Sequence, residues 1–470
     1  MTQQIPEYSH ALSELVSYIL DNVGYSREDR DRKIKFATET DVSMYIANTF
    51  EKFGFALTEY MFGSRGEGST GPGLDSDLDF VHQSEITKVV TDITDFQLNK
   101  HNYLMVKDDF THPGYVKLQF IGLSSDYIPV PIHHVEINPT LTLDRFNRTV
   151  ILSTAFSYMG FPMSGPAVQI TATFKQNCVD RVIAFKCSKW PHDEYKWFQR
   201  RRAHGWPTSK QIKSAWRYGC FVTPVGHPHS REQHLEWRLS FSKIERDLVR
   251  SFEDTTMKVY ILLKMIKQTY IEPRVGDAFS SYHCKVCMLW TRESTPRDLW
   301  RNENLLYCLI LCIRQLHKWA TSGFCPDYFI VTNNIYDRKL FGDKQSNFVQ
   351  ILEYLLSTEC RFLLGIQSTA LGDHLADTIR GFGLRRSVSR ALVALEEGYY
   401  HGLIIAKLIG ARKSIIENIP QYYPTLVEYL ERFMFASNHS PYIMQYPLKH
   451  VMMVLWSQLG FHIASVCRNY

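Results

Sequence analysis

The chain of 470 residues is 45% hydrophobic and 21% charged, values of an ordinary globular protein that exclude a fibrous or low-complexity one. Its net charge of +5 permits contact with nucleic acid but does not require it. The chain opens without a signal-peptide pattern, its longest apolar run (305–313) is too short to cross a bilayer, and its ten scattered cysteines predict reduced thiols, so we expect a cytoplasmic protein without a membrane partner.

Two helices are predicted at the start of the chain. The first covers about 5–22 and places Leu12, Val16 and Ile19 on one stripe. The second covers about 27–53, with a densely charged beginning and a more apolar second half. A long helix of this kind is either a spine that joins two lobes or a helix with a solvated outer face, and both interpretations stay open.

The segment 60–82 carries the strongest functional signal. It passes from an apolar, β-prone stretch through Gly63 and Ser64, where small residues let backbone N–H groups approach phosphate oxygens. It ends in a predicted strand, 74–81. A glycine–serine turn followed by an acidic strand is the arrangement of a nucleotidyltransferase palm.

Two carboxylates of this predicted strand are candidate metal ligands. Because side chains alternate along a strand, Asp77 and Asp79 should project from one face, while Leu78 faces the core. Neighbouring carboxylates repel each other and usually persist because a divalent cation neutralises them. The alternative is a polar surface hairpin. Asp75 shares the same parity, but we expect it to be a turn or capping residue.

A strand pair is predicted further on, at 167–172 and 178–184, after a region of strands and loops at 84–161. Asp180 lies inside the second apolar run, where an unpaired carboxylate would be costly. Such a residue often caps a turn or pairs with an arginine. Here a metal site also needs a third ligand, which favours that role.

The remainder of the chain reads as mostly helical. A long amphipathic helix is predicted over 242–270, and more helices follow from about 276, with breaks at prolines and glycines. This order of elements, with helices on either side of a mixed region, predicts an α+β fold. The fold would have a mixed β-sheet and an all-helical C-terminal lobe.

Three further signals have ordinary alternatives. The arginines of 200–202 fit either a phosphate-contacting strip or a solvated helix face. The C-x-x-C at 284–287 has two zinc-ligand thiols, but buried thiols in a helix are the favoured interpretation. The histidines of 227–234 with Cys220 are also zinc-ligand types, but a polar loop is favoured there. We expect the nearby tryptophans to be packing anchors: Trp190, Trp197 and Trp206.

Five segments occur in the order seen in the Mab-type nucleotidyltransferases: GSRGEGSTGPGLDSDLDF, GPAVQITATFKQNCVDRVIAF, EWRLSFSKIE, YILLKMIK and FSSYHCKV. The chain resembles this family, which includes cyclic GMP–AMP synthase and the cyclic GMP–AMP synthase-like receptors, over about 60–340. WRLSFSKIE and FSSYH are the most specific pieces. The resemblance implies an N-terminal spine and nucleotidyltransferase palm over 1–240, a helical lobe that completes the nucleotide cleft over 241–360, and additional C-terminal helices over 361–470.

Carried over by position, the resemblance implies roles for single residues. Gly63 and Ser64 hold a triphosphate. Asp77, Asp79 and Asp180 bind two Mg²⁺ (or Mn²⁺) ions, and the third of these acids receives the proton of the attacking ribose hydroxyl. A base stacks on an aromatic ring, a contact worth about 1–3 kcal/mol. The implied nucleotide contacts beyond the turn are Arg238, Ser240, Ser242, Glu245, Lys267, Ser281 and, for stacking, Tyr282.

The resemblance also implies an activity: synthesis of a cyclic dinucleotide second messenger from ATP and/or GTP, activated by double-stranded nucleic acid in innate immune sensing. The zinc-binding insertion of vertebrate cyclic GMP–AMP synthase is missing here, because SFSKIERDLVRSF runs directly into MKVYILLKMIK, and this favours double-stranded RNA over DNA. Phosphoryl transfer itself depends on positioning and charge neutralisation, which suits three carboxylates with two cations. The alternatives are a catalytically silent scaffold or nucleic-acid-binding protein, and a nucleotidyltransferase with another acceptor.

Overall fold

A computed structural model of the chain describes residues 7–49, 57–74, 76–98, 100–122, 140–154, 163–164, 167–171, 178–367, 369 and 371–379. These residues form a mixed sheet with flanking helices, followed by a helical lobe, which confirms the predicted α+β class. Asp75 and residues 380–470 lie outside these ranges, so the expectations for them stay predictions.

The helices of the described ranges are α1 (Glu7–Leu20), α2 (Arg27–Thr49), α3 (Gly63–Glu67), α4 (Lys196–Gln199), α5 (Ser209–Tyr218), α6 (Ser242–Arg250), α7 (Asp254–Ile266), α8 (Glu272–Val275), α9 (Ser281–Ser294), α10 (Leu305–Ser322), α11 (Asp343–Ser357) and α12 (Leu371–Ile379). The strands are β1 (Leu57–Phe62), β2 (Leu78–Val90), β3 (His101–Val106), β4 (Tyr115–Gly122), β5 (Leu141–Leu143), β6 (Thr149–Ile151), β7 (Met163–Ser164), β8 (Ala167–Thr171), β9 (Cys178–Cys187), β10 (Cys220–Thr223) and β11 (Glu236–Ser240). Over the part of the chain so described, each helix is too short or too polar to cross a membrane.

The two N-terminal helices connect the lobes. The chain turns between them at Gly24, whose φ of 98° is readily adopted by glycine alone. α1 buries Val16 and Ile19 against the helical lobe, where it packs on α10 and α7. α2 lies instead along β1 and α3 of the sheet region. The contacts of this helix pair therefore favour the spine interpretation.

The strand β2 occupies the centre of the sheet. One of its edges pairs antiparallel with β1 and then parallel with β3, and the other pairs parallel with β9, with a register shift between Gln83 and Lys88. Leu78 and Phe80 are buried against Phe36 and Met61, as the alternation of side chains predicted. The side of β2 that does not face this cluster carries Asp79.

The predicted strand 74–81 begins too early, because β2 begins at Leu78 and the described residues Leu74, Ser76 and Asp77 precede it. A turn closed by the Leu74 N–H donating to the Gly71 carbonyl at 3.1 Å precedes the strand and keeps the chain out of the ladder. Asp77 therefore lies immediately before β2 and is exposed. The second predicted pair is confirmed: β8 runs antiparallel to β9, which carries Asp180.

The long helix predicted over 242–270 is also wrong, since α6 and α7 are separate helices. Glu253 is extended between them, with φ of −63° and ψ of 162°, and its carboxylate accepts hydrogen bonds from Arg292 and Arg297 at 3.1 Å. The apolar spacing continues through the break because Phe252 is itself buried. Periodicity alone could not reveal this change of direction.

The minor signals of the sequence prove to be structural. Arg200 and Arg202 form salt bridges with Glu293 at 2.7 and 3.6 Å, whereas Arg201 is exposed. The three arginines follow α4, which ends at Gln199, so they are not on a helix face. The thiols of 284–287 are buried in α9, and the histidines of 227–234 lie in a loop. The three tryptophans are packing anchors, as predicted: Trp190, Trp197 and Trp206.

Candidate active site

The Gly63–Ser64 turn lies directly against an acid of β2. Phe62, the last residue of β1, pairs in register with Asp79, so the chain turns into α3 at the level of that carboxylate. Gly63 has a φ of 61° and no room for a side chain: a Cβ there would lie 1.8 Å from Oδ2 of Asp79. The sequence-predicted turn and acid are therefore in contact.

Two predicted acids lie side by side on neighbouring strands. Asp79 and Asp180 are register partners in the parallel β2–β9 ladder. Burial raises the pKa of Asp79 to about 6, and the negative charges of Asp180 and Asp77 add to the effect. The three predicted carboxylates are thus within electrostatic range of one another, although Asp77 is on the loop rather than the strand.

A hard divalent cation suits this pair chemically. Carboxylate oxygens are the preferred ligands of Mg²⁺, and a cation would remove the repulsion that now raises the pKa of Asp79. Within the described residues, no three carboxylate, imidazole or thiol groups are arranged to hold a metal ion as they stand. Of the three predicted ligands, the strand register brings Asp79 and Asp180 together, whereas Asp77 is exposed on the loop before β2.

A buried lysine connects the two lobes behind these acids. Lys285 of α9 pairs with Glu67 of α3 at 2.5 Å and donates to Glu245 of α6 at 3.1 Å. Its positive charge lowers the pKa of Asp79, whereas burial raises the pKa of Glu245. Glu245 was predicted as a site residue, whereas Lys285 and Glu67 were not. Lys285 supplies cationic charge near the acids before any metal binds.

A second buried lysine holds the turn itself. Lys264 of α7 donates from Nζ to the hydroxyls of Ser64 and Ser69, both at 2.7 Å, and to the Ser69 carbonyl at 2.9 Å. Burial lowers its pKa to about 8. Lys264 was not predicted from the sequence. The signal was present, because a lysine inside the apolar run YILLKMI needs buried partners.

The same turn borders a pocket at the junction of the lobes. Ser64 and Lys264 line it together with two predicted contacts, Lys267 and Ser281. Lys267 forms a salt bridge with Glu272 at 2.8 Å across the rim. The pocket thus combines hydroxyl and ammonium donors, a set that suits the oxygens of a triphosphate.

The predicted stacking residue is held by its hydroxyl. Tyr282 donates to Oδ2 of Asp327 at 2.7 Å, and Asp327 also accepts the backbone N–H groups of Phe329 and Ile330. Burial raises the pKa of Tyr282, and the nearby Arg238 guanidinium opposes that rise. Arg238 is exposed on β11, whereas the Tyr282 ring is only partly exposed and has the Lys285 ammonium over it at 5.9 Å.

The last two predicted contacts, Ser240 and Ser242, share a hydrogen bond of 3.2 Å between their hydroxyls at the end of β11 and the start of α6. They lie on the connection that leads to Glu245. Every predicted nucleotide contact therefore lies on an element that borders the junction of sheet and helical lobe. Of the three predicted acids, Asp79 and Asp180 are on the paired strands β2 and β9, whereas Asp77 precedes β2.

The nucleotidyltransferase superfamily has paired acids on a mixed sheet beside a Gly–Ser turn. In this chain Lys264 and Lys285 link that region to the helical lobe. Residues 131–251 match the family described as Mab-21 protein nucleotidyltransferase domain. Residues 255–354 match the Mab-21 protein HhH/H2TH-like domain. The chain therefore carries the two Mab-21 domains in that order.

The chain is also similar to the cyclic GMP-AMP synthase of Sus scrofa, with 24% identity over 197 residues. The match covers 37% of this chain and 39% of that protein, so the chain spans well under half of the relative's length. Asp180 falls inside the matched nucleotidyltransferase segment, whereas Gly63 and Asp79 precede it.

Proposed function

We propose that the chain is a metal-dependent nucleotidyltransferase that joins ATP and/or GTP into a cyclic dinucleotide. The observation that carries this proposal is the placement of Asp79 beside Asp180 and against the Gly63 turn. The Mab-21 nucleotidyltransferase domain and the similarity to a cyclic GMP-AMP synthase support the class of reaction and of product.

Each part of the site has a role in this reaction. Ser64, Lys264 and Lys267 donate hydrogen bonds to the triphosphate, while Tyr282 and Arg238 hold a base between them. Two Mg²⁺ (or Mn²⁺) ions bound by the three acids would supply charge neutralisation and Lewis-acid catalysis. Asp180 accepts the proton of the ribose hydroxyl that attacks. Most of the catalytic effect is positioning and electrostatic stabilisation.

Synthesis of a cyclic dinucleotide requires the transfer step twice. A linear dinucleotide forms first, then rebinds with its free hydroxyl towards the acids and its triphosphate on the Gly63–Ser64 turn. One set of acids and one turn suffice for both steps, because each step has the same chemistry: a ribose hydroxyl attacks an α-phosphorus, a phosphodiester bond forms, and the bond to the leaving pyrophosphate breaks. The site therefore needs a second nucleotide position, which the proposal assigns to the neighbourhood of Tyr282 on α9.

Double-stranded nucleic acid, with RNA favoured, is proposed as the activator in innate immune sensing. The helix α5 exposes Lys210, Lys213 and Arg217, and its Trp216 is 50% exposed. The exposed Lys35 of α2 is paired with Glu39 at 3.8 Å, so the proposal rests on the cations of α5. A basic surface of this kind binds phosphate backbones with little dependence on sequence.

The catalytic proposal is tested with labelled ATP and GTP, Mg²⁺ or Mn²⁺, and a panel of double-stranded RNA and DNA. We expect a cyclic product that disappears in Asp180→Asn and Asp79→Asn. Asp247→Asn, an exposed change on α6, is the matched control and should keep activity. If no nucleotide is consumed with any metal and any nucleic acid, the chain is a scaffold rather than an enzyme.

The activator is tested separately by binding measured over a range of salt concentrations. Lys213→Glu combined with Arg217→Glu should weaken binding to double-stranded RNA and reduce the slope of affinity against salt. Lys344→Glu on α11, an exposed lysine far from α5 in sequence, is the control. Unchanged affinity in the double variant would contradict the assignment of α5 as the contact surface.

A further inference from the structure

The peptide of Met61, two residues before Gly63, is held on both sides by ionised groups. Its N–H donates to Oδ1 of Asp41 at 2.7 Å. Arg246 donates from one guanidinium nitrogen to the Met61 carbonyl at 2.5 Å and to Oδ2 of Asp41 at 2.9 Å. Asp41 belongs to α2 and Arg246 to α6, so the two helices meet at this peptide.

These contacts are shielded from water. The side chain of Arg246 is 4% exposed and that of Asp41 is 15% exposed. Burial raises the pKa of Asp41, and the Arg246 guanidinium opposes that rise. The guanidinium also lies over the ring of Phe62 at 4.7 Å. Charge-assisted hydrogen bonds in such surroundings are strong and directional, so the end of β1 has little freedom to move.

One helical turn further along α6, a second arginine holds the other side of the Gly63–Ser64 turn. Arg250 donates from Nε to the Gly66 carbonyl at 2.8 Å and from a terminal nitrogen to the Thr38 hydroxyl of α2 at 3.3 Å. Gly66 itself lies against Met61, since a Cβ there would be 2.3 Å from the Met61 carbonyl oxygen. The two arginines therefore fix residues 61 and 66, and the turn lies between them.

We propose that Asp41, Arg246 and Arg250 are positioning residues that hold the Gly63–Ser64 turn against Asp79 and so set where a nucleoside triphosphate binds. The identity of the ligand rests on the proposed function, whereas the role in holding the turn does not. A displacement of about 1 Å in a site of this kind can reduce a rate by about 100-fold. None of the three side chains is assigned a contact with substrate.

The variants Asp41→Asn, Arg246→Lys and Arg250→Gln test this proposal. Asp247→Asn is the matched control, because its side chain is on α6, is 46% exposed and forms its ion pair with Lys243 of the same helix. Arg250→Gln is the mildest of the three, since Arg250 lies at the end of α6. If Asp41→Asn or Arg246→Lys prevents folding, Arg250→Gln still tests the proposal.

The first readout is amide hydrogen exchange without nucleotide. The N–H groups of Gly68 and Ser69 are bonded within the turn, to Arg65 and Ser64. We expect their exchange to become about 10-fold faster or more in the variants, because a hydrogen bond to a charged group is lost. Exchange in α9 should be unchanged, and the control should match the unmodified protein. Equal acceleration in α9, or no change in the turn, would overturn the proposal.

The second readout is nucleotide affinity. The dissociation constant of a non-hydrolysable ATP analogue should rise by about 10-fold or more, since the turn no longer presents its donors in place. In turnover, the KM for ATP should rise by at least as much as kcat falls. The double variant Asp41→Asn with Arg246→Lys should be less than additive, because both changes break one contact.

These measurements separate the two proposals. If the unmodified protein forms no product with any metal or nucleic acid, the proposed activity fails, while exchange and analogue binding still decide whether the turn is held by α2 and α6. If product forms and both readouts are unaffected in all three variants, the positioning role fails and the activity stands.

Discussion

The carboxylate of Asp79 occupies the space into which a side chain at Gly63 would project, with a separation of 1.8 Å between Oδ2 and the position of a Cβ. The antiparallel register that pairs Phe62 with Asp79 produces this contact. A φ of 61° adds an independent constraint, because non-glycine residues rarely adopt it. Residue 63 is therefore restricted by its backbone and by the acid, and the turn and the acid behave as one unit.

We expect Gly63→Ala to abolish nucleotide transfer and to destabilise the protein. The added methyl group must displace Asp79 as well as accept a left-handed backbone, which alone costs about 1–2 kcal/mol. Gly205→Ala is the matched control, since Gly205 has a φ of 67° with no atom within 4 Å of a Cβ. Urea unfolding and product formation measure the two effects. Equal destabilisation in both variants, with transfer retained in Gly63→Ala, would contradict the contact.

The raised pKa of Asp79 predicts how metal-free stability depends on pH. Because the folded-state pKa of about 6 lies above the ordinary value of 3.8, this group favours the folded state at low pH, and that contribution is lost as pH rises through 6. The shift corresponds to at most about 3 kcal/mol. We therefore expect metal-free Asp79→Asn to be more stable than the unmodified protein at pH 7–8, with the difference vanishing below about pH 4.

Denaturant unfolding in a metal chelator, repeated from pH 4 to 8, measures this difference. Mg²⁺ should then stabilise the unmodified protein and leave Asp79→Asn unaffected, because a cation replaces the missing counter-charge. Asp247→Asn, with a carboxylate that is 46% exposed, should show neither effect. If the difference in free energy of unfolding between the unmodified protein and Asp79→Asn does not depend on pH, the pKa of Asp79 is not raised in the folded state.

Local patterns in the sequence were sufficient to predict the acidic pair. Strand alternation placed Leu78 in the core and Asp79 on the opposite face, and the apolar run around Asp180 predicted β9. Which strand pairs with which is a matter of tertiary structure. The parallel β2–β9 pairing that brings Asp79 and Asp180 together joins segments about 100 residues apart, and no pattern within either segment predicts it.

Other features could not be predicted, because they depend on partners remote in sequence. Lys285 looked like any helical lysine until Glu67 and Glu245 were found on either side of it. The break between α6 and α7 depends on the pairing of Glu253 with two arginines. Arg200 resembled a surface cation but is paired with Glu293. In each case the spacing of residues was compatible with several structures, and the long-range ion pair selected one.

The hydroxyl of Tyr282 fixes the ring that we propose for base stacking, and two variants separate ring from hydroxyl. Tyr282→Ala should raise the KM for nucleotide by about 10-fold or more, since a stacked base contributes about 1–3 kcal/mol. Tyr282→Phe keeps the ring but leaves Asp327 with only its backbone donors, so a smaller rise in KM is expected. Steady-state kinetics with ATP and GTP measures both. Equal effects of the two variants would show that the hydroxyl, not stacking, is what the nucleotide requires.

The two lysines of the pocket differ in a way that pH can resolve. Lys264 is buried with a pKa of about 8, so without nucleotide it loses its positive charge as pH rises from 7 to 9, whereas Lys267 is paired with Glu272 at the rim. If Lys264 contacts the triphosphate, KM for ATP should rise by about 5-fold between pH 8 and pH 9, because the charged fraction of a group with a pKa of about 8 falls from about one half to about one tenth over that interval. Lys264→Gln, which can still donate to Ser64, should start with a high KM and show a flat profile, while Lys267→Gln should keep the slope. The opposite result is a flat KM profile in Lys267→Gln and an unchanged slope in Lys264→Gln. It would assign the phosphate contact to Lys267, as the sequence predicted, and would leave Lys264 with only the structural role of holding the turn.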